Sequence, residues 1–168
     1  MDITRDLMEE HQVILGVAAR TINECDKLEN SGEIDKEFFS KVIDFIRNYA
    51  DKFHHAKEED ILFVSMLENM ENMHCNPIPV MIHEHEESRH FLRGMEEGLK
   101  SEDVPTLVHC ARGYCELLRQ HIFKEDNVLY PMAEGAIPDS QKAVINAEYK
   151  QAEERLRKEF DIDALKNI

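Results

Sequence analysis

Ten residues recur in this chain, and the recurrence constrains its architecture more than any other feature. HHAKEEDILF begins at His54 and HIFKEDNVLY at His121, and both read H-x-x-K-E-[ED]-x-[IV]-L-[FY]. In H-x-x-x-E the two side chains are four apart, which puts them on one face of a helix, roughly 6 Å from each other. His54 with Glu58 and His121 with Glu125 both meet that condition. Upstream of each copy stands a Glu-His step, at Glu10-His11-Gln12 and at Glu84-His85-Glu86. Two similar helical hairpins predict a bundle with a pseudo-twofold axis.

The apolar pattern supplies the helices. Ile3, Leu7, Val13, Ile14, Val17, Ala18 and Ile22 trace one stripe that ends near Asn30-Ser31-Gly32. A second begins after a possible cap at Asp35 and runs through Phe38, Phe39, Val42, Ile46, Tyr49, Phe53 and Leu62 to about Met70. The stretch Asn72 to Pro79 turns the chain before a third helix from about Val80 to Leu99. Ser101 or Asp103 then caps a fourth helix, with Pro105 in its first turn, that continues to about Ala133. A last amphipathic segment runs from Asp139-Ser140 to about Phe160. Short connections make successive helices antiparallel. The reading is all-α: an antiparallel up-down four-helix bundle with an additional C-terminal helix. It forms a single domain over residues 1–168, with the core at about 2–133 and the appended helix at about 139–160. Six Gly, five Pro, no Trp and 33% charged residues agree with an all-helical chain.

Charge excludes several partners. A formal net charge of -15 repels phosphate backbones and anionic lipid surfaces, and no basic cluster offsets it. Nucleic acid and membrane are therefore not expected partners. No apolar run approaches the roughly 20 residues that cross a bilayer, and MDITRDLMEEH has no secretory apolar region, so a cytoplasmic location is expected. Cys25, Cys75, Cys110 and Cys115 include no C-x-x-C pair and are read as reduced structural thiols.

Helix arithmetic brings the histidines together. From the first turn near Gly32, His11 lies about 21 residues back and His54 about 22 forward. From the second turn near Glu102, His85 lies about 17 back and His121 about 19 forward. All four meet in one layer. Imidazoles with two carboxylates suit Fe, Mn or Zn, and four histidines with two possible bridging glutamates favour a pair of ions over one tetrahedral zinc. Two iron ions with an oxo or hydroxo bridge are the natural choice, with Zn or Mn as substitutes. Of about twelve positions on two six-coordinate ions, these ligands fill about eight and the bridging group two more. If His55 also ligates, about one position stays open, which fits end-on O2, peroxide or NO.

At these positions the sequence resembles the hemerythrin-like family, in particular its bacterial and archaeal HHE cation-binding branch. The resemblance spans nearly the whole chain: MEEH, HHAKEEDILF, EHEESR, YCELLRQHIFKEDNVLYPM and the C-terminal helix after IPDSQ. Carried over residue by residue, it implies His11, His54, Glu58, His85, His121 and Glu125 as metal ligands, with His55 as a further candidate. The proline that often follows L-[FY] is present as Pro131 but is Val64 in the first repeat. The resemblance implies a non-heme di-iron protein that binds or senses a small ligand such as O2, NO or H2O2. Other readings are a di-iron enzyme for peroxide or NO detoxification or Fe–S cluster repair, and an iron-responsive regulatory adaptor. An electron-transfer or signalling partner would accompany these.

His83 and His90 do not share the face of His85 and are read as solvated or hydrogen-bonded, not as ligands. Glu59 and Asp126 follow the glutamate candidates and either face solvent or support a ligand. Tyr114 stands two turns before His121 on the same side, where its hydroxyl could hydrogen-bond to the cluster, but it is read first as an ordinary core tyrosine. Arg89 is expected to pair with a glutamate such as Glu86, a modest surface effect. The methionines and aliphatic stripes are core that lines a dry pocket. Glu87-x-x-His90 has the ferritin-like spacing but occurs once, where that fold needs two copies.

Overall fold

The computed structural model describes residues 2–159 and 161–168, and among these there is no strand. Helix α1 (Arg5–Ser31) stops where Gly32 turns left-handed at φ 73°, a conformation that costs glycine little, and its N–H closes on Leu28 O at 2.8 Å. Asp35 caps α2 (Lys36–Phe45) by accepting from Phe38 N at 2.9 Å. Helix α4 (Ile78–Ser101) begins after Pro77, and α5 (Val104–Lys124) carries Pro105 in its first turn. Of the two possible caps for α5, Asp103 takes the role by accepting from Thr106 N. Ser101 instead closes the end of α4, donating to Glu97 O at 2.7 Å.

The second apolar stripe is not one uninterrupted α-helix. It passes from α2 into a π-helical stretch, π1 (Ile46–His55), then a second, π2 (Glu58–Leu62), before α3 (Phe63–Glu68). The fourth stripe behaves alike: α5 gives way to π3 (Glu125–Leu129) and then α6 (Tyr130–Ala136). Both repeats therefore widen at the same place, one followed by Pro131 and the other by Val64, so the proline is not what makes the wide turn. Bonding from i to i+5 brings residues five apart into line, and such turns gather at functional sites.

These stretches form a helical bundle. α1 packs on α5, α5 on α4, α4 on α2 and π1, and α2 and π1 return to α1. Two apolar clusters fill it. One gathers Ile14, Phe53, Leu92, Leu118 and Ile122. The other gathers Leu7, Leu62, Phe63, Met81, Leu129 and Tyr130. In every one of the four stretches the residues between these clusters are the histidines and glutamates of the repeat, so a polar layer divides the core.

Helix α7 (Asp139–Glu159) packs across π1 and π2, and a short α8 (Ile162–Leu165), not anticipated from the sequence, docks Ile162 against α2 and π1. The expected end of the fifth helix at Phe160 lies outside the described residues. All four cysteines are free thiols. No helix among the described residues is long and apolar enough to cross a membrane.

Candidate metal centre

Seven side chains meet in the polar layer: His11 from α1, His54 and His55 from π1, Glu58 from π2, His85 from α4, His121 from α5 and Glu125 from π3. None is more than 3% exposed, which removes the water that would otherwise solvate two carboxylates. Their donor atoms fall into two groups, His11, His54, Glu58 and Glu125 in one and His55, Glu58, His85 and His121 in the other. Within each group the donors lie within 4.8 Å of one another, and Glu58 belongs to both. Glu125 spans the layer, with Oε2 3.2 Å from His11 Nε2 and Oε1 3.0 Å from His121 Nε2.

Four of the five imidazoles are oriented from behind. The Nδ1 atoms of His11, His54, His85 and His121 face Asp126, Glu10, Glu59 and Glu84 at 2.7, 2.8, 2.6 and 2.8 Å. A carboxylate can only accept, so each Nδ1 carries the hydrogen and each Nε2 presents its lone pair to the centre. Those lone pairs converge: His11 Nε2 lies 2.9 Å from His54 Nε2, and His85 Nε2 lies 3.0 Å from His121 Nε2. Glu58 Oε2 and both oxygens of Glu125 are buried without a hydrogen-bond donor. Converging lone pairs and orphaned carboxylate oxygens need positive charge between them, either protons or cations. The donor set, imidazole nitrogens with carboxylate oxygens, fits borderline divalent ions.

Without a cation the layer holds protons. Burial works against a charged His11, yet its hydrogen bond to Asp126 and the nearby Glu125 charge raise it to about 9. Burial likewise opposes His121, and the Glu125 charge outweighs it, to about 10. Burial dominates at His54 and His55, which are pushed down, His55 to about 3. Burial and the neighbouring Glu125 charge lift Glu58, while Glu125, despite its burial, is held down by His121 and the other imidazoles.

Several participants are not apparent from the sequence alone. Tyr130 donates its hydroxyl to Glu58 Oε1 at 2.5 Å and stacks on His11 with centroids 5.4 Å apart. Its counterpart Phe63 stacks on His85 at 5.9 Å. Each aromatic stands five residues after its glutamate, so the wide π turn brings it to the layer; the [FY] ending both repeats is the signal. Tyr114, by contrast, is buried with no hydrogen-bond partner for its hydroxyl.

The lysine of the repeat also has a role. Lys57 pairs with Glu10 and Lys124 with Glu84, each glutamate being the one that orients the hairpin's repeat histidine. Glu59 and Asp126 reach across to the other hairpin's histidine. Arg89 does pair with Glu86 at 2.7 Å, but its effect exceeds a surface contact: it also bonds Asp51 and Glu59 at 2.8 Å. Asp51 stands 3.4 Å from His55 Nδ1, so one guanidinium braces the carboxylates behind two histidines. His83 and His90 are exposed, away from the layer.

A buried histidine and carboxylate layer closing a helical bundle defines a class of metal-binding domain. The chain belongs to the hemerythrin family: the model of the hemerythrin HHE cation binding domain matches residues 2–133. Helices α7 and α8 lie outside that match. Comparison with curated proteins and with solved structures finds no significant match.

Proposed function

We propose that the chain is a non-heme di-iron protein that binds or senses a small ligand, O2, NO or peroxide. In this reading residues 1–168 form one domain, an up-down antiparallel four-helix bundle with an appended C-terminal helix. Each donor group would hold one ion, with His11, His54, His55, His85 and His121 as its histidine ligands and Glu58 and Glu125 as the carboxylates available to both groups. The observation that carries it is the pair of four-residue donor groups joined through Glu58, with Glu125 facing both.

Four donors on a six-coordinate ion leave room for a small exogenous ligand, and the apolar clusters on either side of the layer admit little else. Iron supplies the open coordination positions and the redox change that accompany ligand binding. The chain supplies the rest. Carboxylates behind His11, His54, His85 and His121 fix the tautomer of each and raise its donor strength. Tyr130 places a hydroxyl hydrogen at Glu58 Oε1.

Metal content on anaerobically purified protein, with optical spectra before and after air, tests the reading. About two irons per chain and a charge-transfer band that comes and goes with oxygen support reversible binding. Catalytic turnover of peroxide or NO beyond one equivalent per centre would move the assignment to an enzyme, and absence of metal would overturn it.

A further inference from the structure

Helix α7 lies beyond the family match, yet it packs on π1 and π2, the segments that carry His54, His55 and Glu58. The polar contact between them is Lys57. This lysine is 1% exposed, with its ammonium 4.2 Å from the Phe53 ring centroid. A buried ammonium needs carboxylates, and Lys57 has two: Glu10, and Glu153 of α7 at 3.0 Å. Glu10 is the acceptor for His54 Nδ1 at 2.8 Å. A chain of charge thus runs from the C-terminal helix to one imidazole of the centre.

The other half lacks it. Lys124 occupies the equivalent position and pairs with Glu84, which orients His121, but its side chain is 37% exposed and no second carboxylate among the described residues pairs with it. The pseudo-twofold repeat is therefore broken by α7.

We propose that Glu153 is a positioning residue for the metal centre, acting through Lys57 and Glu10 on His54, so that the C-terminal helix supports one half of the centre and not the other. The proposal rests on the di-metal reading above. With Glu153 present, Lys57 divides its charge between two carboxylates, and Glu10 keeps full acceptor strength toward His54 Nδ1–H. Without it, Lys57 turns wholly to Glu10, the bond to His54 weakens, and the imidazole becomes a poorer and less well-aimed donor.

The test is anaerobic titration of the metal-free full chain with Co2+ against a competing chelator, reading two binding steps. Glu10→Gln, which removes the His54 partner directly, identifies its step by a loss of about 10–100-fold. Glu153→Gln is expected to weaken that same step by about 3–10-fold and to leave the other step within twofold. In a Lys57→Met background Glu153→Gln should add nothing, because the intermediary is gone. Circular dichroism confirms that the variants fold. A Glu153→Gln chain with both steps unchanged, or with both weakened equally, or with an effect that persists in Lys57→Met, overturns the proposal while leaving the di-metal reading standing. A wild-type chain that takes up no Co2+ overturns both.

Discussion

Removing the Tyr130 hydroxyl isolates one hydrogen bond at the centre. The phenol donates to Glu58 Oε1 at 2.5 Å, and Glu58 Oε2 has no hydrogen-bond donor among the described residues, so Tyr130→Phe strips the carboxyl group of the one side-chain donor that these residues give it. Both residues are buried, and a buried acceptor left unsatisfied costs about 1–3 kcal/mol. For a chain of this size each kilocalorie moves the midpoint by about 2–4 °C, so metal-free Tyr130→Phe should melt about 2–12 °C below wild type. With metal, loss of the bond that aims Glu58 should weaken binding by about 10–100-fold in chelator competition. Tyr114→Phe is the control: its hydroxyl is equally buried but has no partner, so its removal should be neutral or stabilising. If Tyr130→Phe matches wild type in both melting and metal affinity, the phenol does not support the centre and the assignment of Glu58 as its partner is wrong.

Three further outcomes follow from the same geometry. A Cβ on Gly98 would lie 2.7 Å from Leu107 N, where α4 meets the start of α5, so Gly98→Ala should cost about 1–3 kcal/mol in urea unfolding without altering metal stoichiometry. In the metal-free chain His11 and His121 are raised to about 9 and 10, both above their unfolded value of 6.5. The folded state then binds the extra protons, so the stability these groups add is present below the unfolded values and lost as pH rises through the folded ones. Urea midpoints of chelator-treated protein should accordingly fall between about pH 6.5 and 10, and metal should flatten that slope. Finally, His55→Ile installs the residue found at the matching position of the second repeat, Ile122, and should weaken one metal-binding step while sparing the other. Two unaltered steps would show that His55 only stacks on His85 and faces Asp51.

The helices and the polar layer were legible because both depend on local, regular quantities. Apolar spacing marks a helix face, and a constant rise per residue sets His11 against His54 and His85 against His121. The π turns were not, since a one-residue widening leaves no apolar signature and is selected by what the centre needs from its neighbours. Tyr130 was missed for that reason: on an uninterrupted α-helix a residue five beyond Glu125 leaves its face. The roles of Lys57, Glu10 and Glu84 were missed for another. Each is a contact between helices distant in sequence, and the recurrence of Lys in both copies showed that it mattered without showing to what. Arg89 was underestimated because Glu86 is its neighbour in sequence, whereas Asp51 and Glu59 reach it only through packing.

The repeat also separates scaffold from specialisation. What both copies keep is the support: a lysine pairing with the glutamate of the Glu-His step, and an acid reaching across to the opposite hairpin's histidine. What differs lies nearest the centre. His55 against Ile122 gives one group a third imidazole, and Tyr130 against Phe63 gives Glu58 a phenol donor that Glu125 lacks. A symmetric scaffold would hold two equivalent ions. These two substitutions, with Glu153 reaching only Lys57, make the halves chemically unequal, one richer in carboxylate and the other in imidazole. If each group holds an ion, one would have two imidazoles with two carboxylates and the other three imidazoles with one carboxylate, so the two ions would differ in affinity and not be interchangeable.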